Sequence, residues 1–116
     1  NRRGRFVFLS SIWGITGAAG EVAYSAAKGG LNSFAKALAR EMAAFGVTVN
    51  AVAPGAVDTD MLASLSPEEK AELIRDIPLG RLARPEEVAE LVRYLVSEEA
   101  GYVTGQVISL SGGWMV

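Results

Sequence analysis

Three short apolar runs along the chain predict three buried β-strands. Each is rich in Val, Ile, Leu or Phe, and they lie at 6–10, 47–52 and 106–110. Apolar runs of this length fit parallel strands that are covered on both faces. Three glycines between residues 14 and 20 indicate a loop after the first run, and Pro54-Gly55 stops the second.

The segment between the first two runs has the period of a helix. From about residue 23 to 45, apolar residues recur at steps of four and three, which predicts an amphipathic helix. Gly46 stands where a left-handed cap would end it. The predicted buried face of this helix consists of Ala27, Leu31, Phe34, Leu38 and Met42.

Two further helices are predicted before the last strand. The sequence from Ser66 to Glu69 has capping-box spacing with proline at the first helical position, and its short helix runs to about residue 76. Pro85 opens the other helix and is followed by two glutamates at the positive end of the helix dipole. The predicted buried face of this second helix consists of Val88, Leu91, Val92, Leu95 and Val96.

The order strand, helix, strand, helices, strand predicts an α/β fold with a parallel sheet and right-handed crossovers. Three strands make a narrow sheet, and one of its edges would lack a neighbour. The chain starts with Asn1 rather than Met, and Arg5 leads at once into the first strand. We therefore expect residues 1–116 to be a single domain that is only part of a doubly wound, Rossmann-type fold.

Composition narrows the class of function. Half of the 116 residues are apolar and 21% are charged, which suits a soluble globular protein. A net charge of −2 without a long basic run argues against nucleic acid as a partner. No apolar run reaches the roughly 20 residues of a membrane span, and no signal-peptide pattern is present. We expect no membrane partner and a cytoplasmic location.

The chain contains neither cysteine nor histidine. Disulfides, thiolate or imidazole metal sites and a Ser-His catalytic pair are therefore excluded, and no metal site is expected. Acid–base chemistry near neutral pH would have to use tyrosine, lysine or carboxylates.

Tyr24 and Lys28 are four positions apart, so they share one face of the predicted helix. An ammonium close to a phenol stabilises the phenolate, the form that accepts protons. Such a pair taken alone is more often a surface contact. Ser11 follows the first strand, at the edge where parallel sheets bind ligands, although a serine there also serves simply to end a strand. Ser10 is its rival, and alternation along the strand points the two in opposite directions.

These residues resemble the active-site segment of the short-chain dehydrogenase/reductase family. Ser11 precedes Tyr24 by thirteen residues, the usual spacing in that family, and Tyr24-Ser25-Ala26-Ala27-Lys28 has its Tyr-xxx-Lys pattern. The resemblance covers essentially the whole chain and is closest to 3-oxoacyl-carrier-protein reductase-like members. It continues through ordered motifs at 38–41, 46–55, 59–61, 78–81, 84–89, 104–106 and 111–113.

The resemblance implies an oxidoreductase that interconverts a carbonyl and a secondary alcohol with NADP or NAD, NADP being slightly favoured. Tyr24 would be the general acid or base, Lys28 would assist it and bind the nicotinamide ribose, and Ser11 would hold the substrate oxygen. The nicotinamide would lie against residues 54–59, and 60–80 would form a substrate lid. The implied cofactor-binding residues are Tyr24, Lys28, Pro54, Gly55, Val57 and Thr59, and the implied substrate residues are Ile12, Trp13, Ile15 and Met61.

One departure from the family is large. Its N-terminal half carries a glycine-rich turn that holds the cofactor pyrophosphate, and these 116 residues contain no such turn. We therefore expect the isolated chain to be inactive, as a fragment or a split half of a reductase. Expected partners are a small-molecule or acyl-thioester carbonyl substrate and either a second copy or a complementary N-terminal half.

The alternative is a non-catalytic assembly or dimerisation module derived from the same family. The long helix from about residue 23 to 45 resembles the one that forms the family's dimer interface. An open sheet edge also favours self-association.

Overall fold

The computed structural model describes residues 4–12 and 20–114, with the main chain alone for Met61 and Ala63. Two of the expected substrate residues, Trp13 and Ile15, lie outside the described residues, and so does the side chain of Met61.

Three parallel strands form one sheet. They are β1 (Gly4–Leu9), β2 (Val47–Pro54) and β3 (Val107–Leu110), with β2 in the middle. In the register of the sheet, Phe8 pairs with Ala51, and Ala51 pairs with Val107 on the other side. The predicted parallel sheet is therefore confirmed.

Three α-helices connect these strands. They are α1 (Val22–Met42) between β1 and β2, and α2 (Pro67–Asp76) and α3 (Pro85–Leu95) between β2 and β3. Short 3-10 turns follow α1 at Ala43–Phe45, precede α2 at Asp60–Ser64 and follow α3 at Glu98–Ala100.

The predicted helix signals take their expected conformations. Gly46 has a φ of 72° and closes the turn after α1 through a hydrogen bond from its N–H to Ala43 O. A side chain with a Cβ would be strained in this left-handed conformation. At the start of α2, Glu69 N donates to Ser66 Oγ, and Ser66 N donates to the Glu69 carboxylate, which completes the predicted capping box.

The buried face of α1 differs from the prediction. Its buried residues are Asn32, Ala35 and Ala39, whereas Phe34 is 54% exposed. Small side chains allow the helix to lie close to a strand of valines and alanines, so the alanines face the sheet. The Phe34 ring instead meets Phe8 of β1 edge to face, with ring centroids 5.7 Å apart. Ala27 is also exposed, while Leu31, Leu38 and Met42 are half-buried.

The buried face of α3 agrees with the prediction except at its last member. Leu95 is fully buried, and Val88, Leu91 and Val92 are half-buried. Val96, which caps the C-terminus of α3, is 46% exposed.

The two faces of the sheet are covered separately. On one face Val49 and Ala51 pack against Ala35 and Ala39 of α1. Successive residues of a strand point to opposite faces, so Arg5 faces away from this cluster. Its Nε donates to Ser97 O at 3.1 Å, just beyond the end of α3. Helices on both faces are the arrangement that a parallel sheet requires.

Asn50 joins β2 to the loop before β3. The residue is fully buried, its Nδ2 donates to Val103 O at 3.0 Å, and its Oδ1 accepts from Gln106 N at 3.1 Å. Val49 adds two bonds to the same loop, from its N–H to Thr104 Oγ1 and from Gly105 N to its carbonyl. The loop is thereby fixed to β2 before the regular pairing with β3 begins.

Replacing Asn50 by alanine is expected to destabilise the fold by about 1–3 kcal/mol, since two partly buried hydrogen bonds, to Val103 O and from Gln106 N, would be lost. Urea unfolding followed by circular dichroism measures this. The control is Gln106→Ala, because that side chain is exposed. Its effect is expected to stay within about 0.5 kcal/mol. Equal unfolding midpoints for the two variants would contradict the role given to Asn50.

The start of α2 is expected to loosen in acid. Hydrogen bonds from the Ser66 main chain and hydroxyl hold the pKa of Glu69 below its ordinary 4.5. A carboxyl group whose pKa is lower in the folded than in the unfolded state stabilises the folded state. This stabilisation is complete at a pH above the unfolded pKa, and it is lost as the pH falls through the folded pKa. The amide signal of Ser66 in NMR should therefore shift as the pH drops below about 4.5. In Glu69→Gln, which keeps an acceptor oxygen but cannot titrate, that shift should be absent.

Candidate active site

The chain continues alongside β2 after β1 ends. Ser10 N donates to Val52 O at 2.7 Å, and Ile12 N donates to Pro54 O at 3.1 Å. Ser11 stands between these two anchors and is therefore held at the carboxyl edge of the sheet, where ligands of parallel sheets bind.

The two neighbouring serines lie in different environments. Ser10 is only 6% exposed, and its Oγ donates to Lys28 O at 3.2 Å, so it links β1 to α1. Ser11 is half-buried. Ile12 is 3% exposed, which leaves its side chain almost no surface to offer a substrate. Of the two serines, Ser11 is thus the more exposed one.

Tyr24 and Lys28 lie in the first two turns of α1. The Lys28 ammonium is 5.6 Å from the centroid of the Tyr24 ring, within the range of a cation–π contact. Tyr24 is 43% exposed, so part of the residue can be reached from outside. The spacing of four residues therefore brings the two groups together as predicted.

Two hydrogen bonds tie the start of α1 to the end of β1 in opposite directions. Lys28 Nζ donates to Leu9 O at 3.2 Å. Ser10 Oγ donates to the main-chain carbonyl of the same lysine. This reciprocal pair fixes both the backbone and the ammonium of Lys28 against the sheet edge.

Pro54 and Gly55 end β2 at that edge. Gly55 N donates to Leu110 O at 2.9 Å, which continues the pairing with β3. A Cβ added to Gly55 would lie 3.2 Å from Ser111 Cα and 3.4 Å from Cε3 of Trp114. A methyl group here would make closer contacts than usual, so packing favours glycine whatever further role the turn has.

The segment from Gly55 to Thr59, called the edge loop below, is held by a short parallel bridge. Ala83 N donates to Ala56 O at 3.0 Å, and Asp58 N donates to Ala83 O at 2.8 Å. Val57 lies between these bonds and is half-buried, while Thr59 is exposed and precedes the 3-10 turn Asp60–Ser64.

An ion pair lies next to this bridge. The Arg81 guanidinium donates to both carboxylate oxygens of Glu87, at 2.7 and 2.9 Å. The Arg81 hydrogen bonds lower the pKa of Glu87 to about 2, with help from the main-chain N–H of Arg84. Both side chains remain partly exposed, so solvent screens the attraction between their charges.

A cavity of about 220 Å³ opens beside this ion pair. None of the three expected catalytic residues lines it, so it is separate from the Tyr24–Lys28 arrangement. It lies between the edge loop and the end of β3, and its lining comprises Ala56, Leu79, Arg81, Ala83, Glu87, Ser109, Leu110, Ser111 and Gly112.

Each α-helix in the described part begins beside a carboxylate. A pyrophosphate binds at helix N-termini because the dipole there is positive, and a carboxylate in the same place repels it. In residues 4–12 and 20–114, a carboxylate therefore opposes phosphate binding at the start of each α-helix. The acidic residues are Glu21 before α1, Glu68 and Glu69 in α2, and Glu86 and Glu87 in α3.

Sequence reasoning missed the pairing of Arg81 with Glu87. Arg81 is noted only within the motif at 78–81, and Glu87 only within the motif at 84–89 and as an acidic residue at the start of its helix. Their separation of six residues is not a helical contact distance, because Arg81 precedes the helix that carries Glu87. The sequence did carry one signal. Glu87 lies three residues after Arg84 at a helix start, a position from which a glutamate side chain often accepts a hydrogen bond from the main chain before the helix.

Two further classes of site are absent from the part of the chain that the structure describes. No group of His, Cys, Asp or Glu residues is arranged to hold a metal ion there. None of its helices combines the length and hydrophobicity that crossing a membrane requires.

Comparison with known proteins adds to this geometry. The family model described as enoyl-(acyl carrier protein) reductase matches residues 1–115. The oxidoreductase YmfI of Bacillus subtilis is 56% identical over 114 residues, which are 98% of this chain and 47% of that protein. The 3-oxoacyl-[acyl-carrier-protein] reductase of Aquifex aeolicus is 54% identical over 112 residues, 97% of this chain and 45% of the relative.

The backbone agrees as well. The crystal structure of 3-oxoacyl-[acyl-carrier protein] reductase from Brucella melitensis superposes with a TM-score of 0.92 at 38% identity, covering 99% of this chain and 43% of that one. The chain spans about half the length of the relatives it matches. With a parallel α/β fold, a matching family model over nearly every residue and relatives above half identity, the chain belongs to the short-chain dehydrogenase/reductase family.

Proposed function

We propose that this chain is the catalytic C-terminal half of an NAD(P)-dependent oxidoreductase that interconverts a carbonyl and a secondary alcohol. The observation that carries the proposal is the position of Lys28. Its ammonium contacts the Tyr24 ring and is held by Leu9 O at the carboxyl edge of the sheet. An acid–base group and the cation that assists it thus share the edge where a dinucleotide fold binds its cofactor.

Proton transfer belongs to Tyr24 in this proposal. Its phenol donates a proton to the carbonyl oxygen during reduction and recovers it in the reverse direction. The nearby Lys28 ammonium stabilises the phenolate that remains. Ser11, at the same edge, donates a hydrogen bond to the substrate oxygen and steadies the negative charge that develops there.

The residues fit the nicotinamide end of the cofactor. An ammonium has three N–H donors, and Leu9 O uses one of those on Lys28. The other two are available to the ribose hydroxyls. Pro54 and Gly55 form a closely packed surface, and the main chain of Val57 and the hydroxyl of Thr59 would contact the carboxamide. When bound, the cofactor supplies the hydride.

The proposed substrate is a 3-oxoacyl thioester. Two of the relatives named above are 3-oxoacyl-[acyl-carrier-protein] reductases, and the match spans the segment that carries Ser11, Tyr24 and Lys28. A thioester-linked substrate brings its carbonyl to the protein on a flexible arm, so a partly exposed tyrosine suits it.

The proposal further treats residues 1–116 as one domain that needs a complementary N-terminal half to bind the cofactor phosphates. Its support is the carboxylate at the start of each described helix. β1 is an edge strand, and both Phe6 and Leu9 on it are about half exposed. An edge of this kind is suited to pair with a further strand.

The alternative is an assembly module without catalysis. The exposed Phe34 and Val22 on α1 favour it, because large apolar side chains on a helix surface are often covered by a partner. The two functions differ in their requirement for the Tyr24 hydroxyl, which assembly does not need.

Removing that hydroxyl is the direct test. Residues 1–116 would be joined behind the N-terminal half of the Aquifex aeolicus relative, and NADPH oxidation with a short 3-oxoacyl thioester measured. In this reconstituted protein, Tyr24→Phe is expected to lower kcat by about 10²–10⁴-fold, because the general acid is lost.

Tyr102→Phe serves as the matched control, because that side chain is fully exposed on another loop. It is expected to leave kcat unchanged. If Tyr24→Phe retained full activity, the catalytic proposal would be wrong. A folded, NADPH-binding chimera without any reductase activity would favour the assembly module.

The isolated chain is expected to oxidise no NADPH, because the carboxylates at its described helix starts oppose binding of the cofactor phosphates. NADPH-dependent ketone reduction by the 116 residues alone would contradict this expectation.

A further inference from the structure

The ion pair between Arg81 and Glu87 is tied to main-chain groups just before α3. We infer that this pair is a positioning device that sets the edge loop, residues 55–59, and thereby the nicotinamide end of the cofactor site. The inference rests on the function proposed above and assigns a role within that same site.

The pair holds the peptide groups on both sides of Ala83. Arg81 Nη1 donates to Leu82 O at 3.1 Å, and Arg84 N donates to Glu87 Oε1 at 2.9 Å. Because the guanidinium also binds both carboxylate oxygens of Glu87, these two anchors are joined to each other. Ala83 therefore has its preceding carbonyl and its following N–H fixed by a single unit.

Ala83 passes this constraint to the edge loop. Its N–H donates to Ala56 O and its carbonyl accepts from Asp58 N, so it holds the peptide groups before and after Val57. The Arg81–Glu87 pair and Val57 are thus connected through an unbroken series of hydrogen bonds. A shift of Ala83 would move the main chain that is proposed to contact the carboxamide.

Other contacts hold the loop only weakly on this side. Asp58 approaches the Lys70 ammonium at 3.8 Å, but both side chains are largely exposed. An exposed pair of this kind contributes little. The cavity beside the ion pair borders Ala56 and Ala83, so close packing does not support the loop there. Hydrogen bonding through Ala83 is therefore the main constraint on its outer side.

The ion pair suits orientation better than stability. Because Arg81 and Glu87 are partly exposed, their attraction is screened and adds little to the stability of the fold. A guanidinium that binds a carboxylate through two parallel hydrogen bonds nevertheless fixes the geometry of both groups. Loss of the pair should consequently change cofactor binding more than the unfolding temperature.

The test uses the reconstituted NADPH-oxidising protein. Arg81→Gln is expected to raise the KM for NADPH about tenfold, with a smaller fall in kcat, because a displaced loop loses contacts to the cofactor. Arg81→Lys should give an intermediate KM, since an ammonium cannot make the same paired contact. Arg93→Gln is the matched control. It removes the exposed ion pair between Arg93 and Glu90 on α3, the helix that also carries Glu87, and it does not touch the edge loop.

A double-mutant cycle tests whether Arg81 and Glu87 act on the KM as one unit or independently. Arg81→Gln combined with Glu87→Gln is expected to raise the KM no further than the single Arg81→Gln change, since residues that act as a unit are not additive. Independent, multiplying effects on KM would overturn the inference, and so would an unchanged KM in Arg81→Gln. If Arg81→Gln does not fold, the comparison of Arg81→Lys with Arg93→Gln decides the question.

Hydrogen exchange gives a readout that does not depend on catalysis. The amide hydrogens of Ala83 and Asp58 should exchange faster in Arg81→Gln than in the unsubstituted protein. Their exchange rates should not change in Arg93→Gln. Unchanged exchange at both amides would overturn the inference while leaving the role of Tyr24 untouched. Conversely, full activity of Tyr24→Phe would remove the proposed function, yet the exchange result would still report whether the pair holds the loop.

Discussion

The site depends on the main-chain hydrogen bonding of β2 on both of its sides. β1 pairs with it on one side and β3 on the other, and every residue of β2 before Pro54 is buried. A parallel strand of this kind fixes where its neighbours end. β2 therefore brings the serines that follow β1 and the turn after β3 to the same edge of the sheet.

Periodicity predicted the type and order of the elements because burial on a sheet and on a helix leaves different repeats in the sequence. It was less successful in deciding which face of a helix is buried. In α1 the residues buried against the sheet are Ala35 and Ala39, because close packing of the helix on the sheet favours small side chains. Phe34 lies at the side of this contact and is exposed. By hydrophobicity alone Phe34 would be buried in preference to the two alanines, so the hydrophobic pattern cannot predict which face of the helix is buried.

The candidate site shows the same limit. The spacing of Tyr24 and Lys28 predicted their contact, because that contact lies within one helix. The hydrogen bond from Lys28 to Leu9 O joins residues nineteen apart and follows from packing that no local pattern encodes. The Arg81–Glu87 pair was missed for a similar reason, since it spans the boundary between a loop and a helix. The contact within one helix was predictable, whereas the contacts between elements were not.

The reciprocal hydrogen bonds between β1 and α1 have a consequence for how this family can diversify. Ser10 and Lys28 fix the two ends of the connection that includes residues 13–19. The main chain at Ser10 and at Lys28 is thus held by contacts that do not involve residues 13–19. In the proposed reductase, substitutions at 13–19 are therefore expected to leave Lys28 in place at the sheet edge.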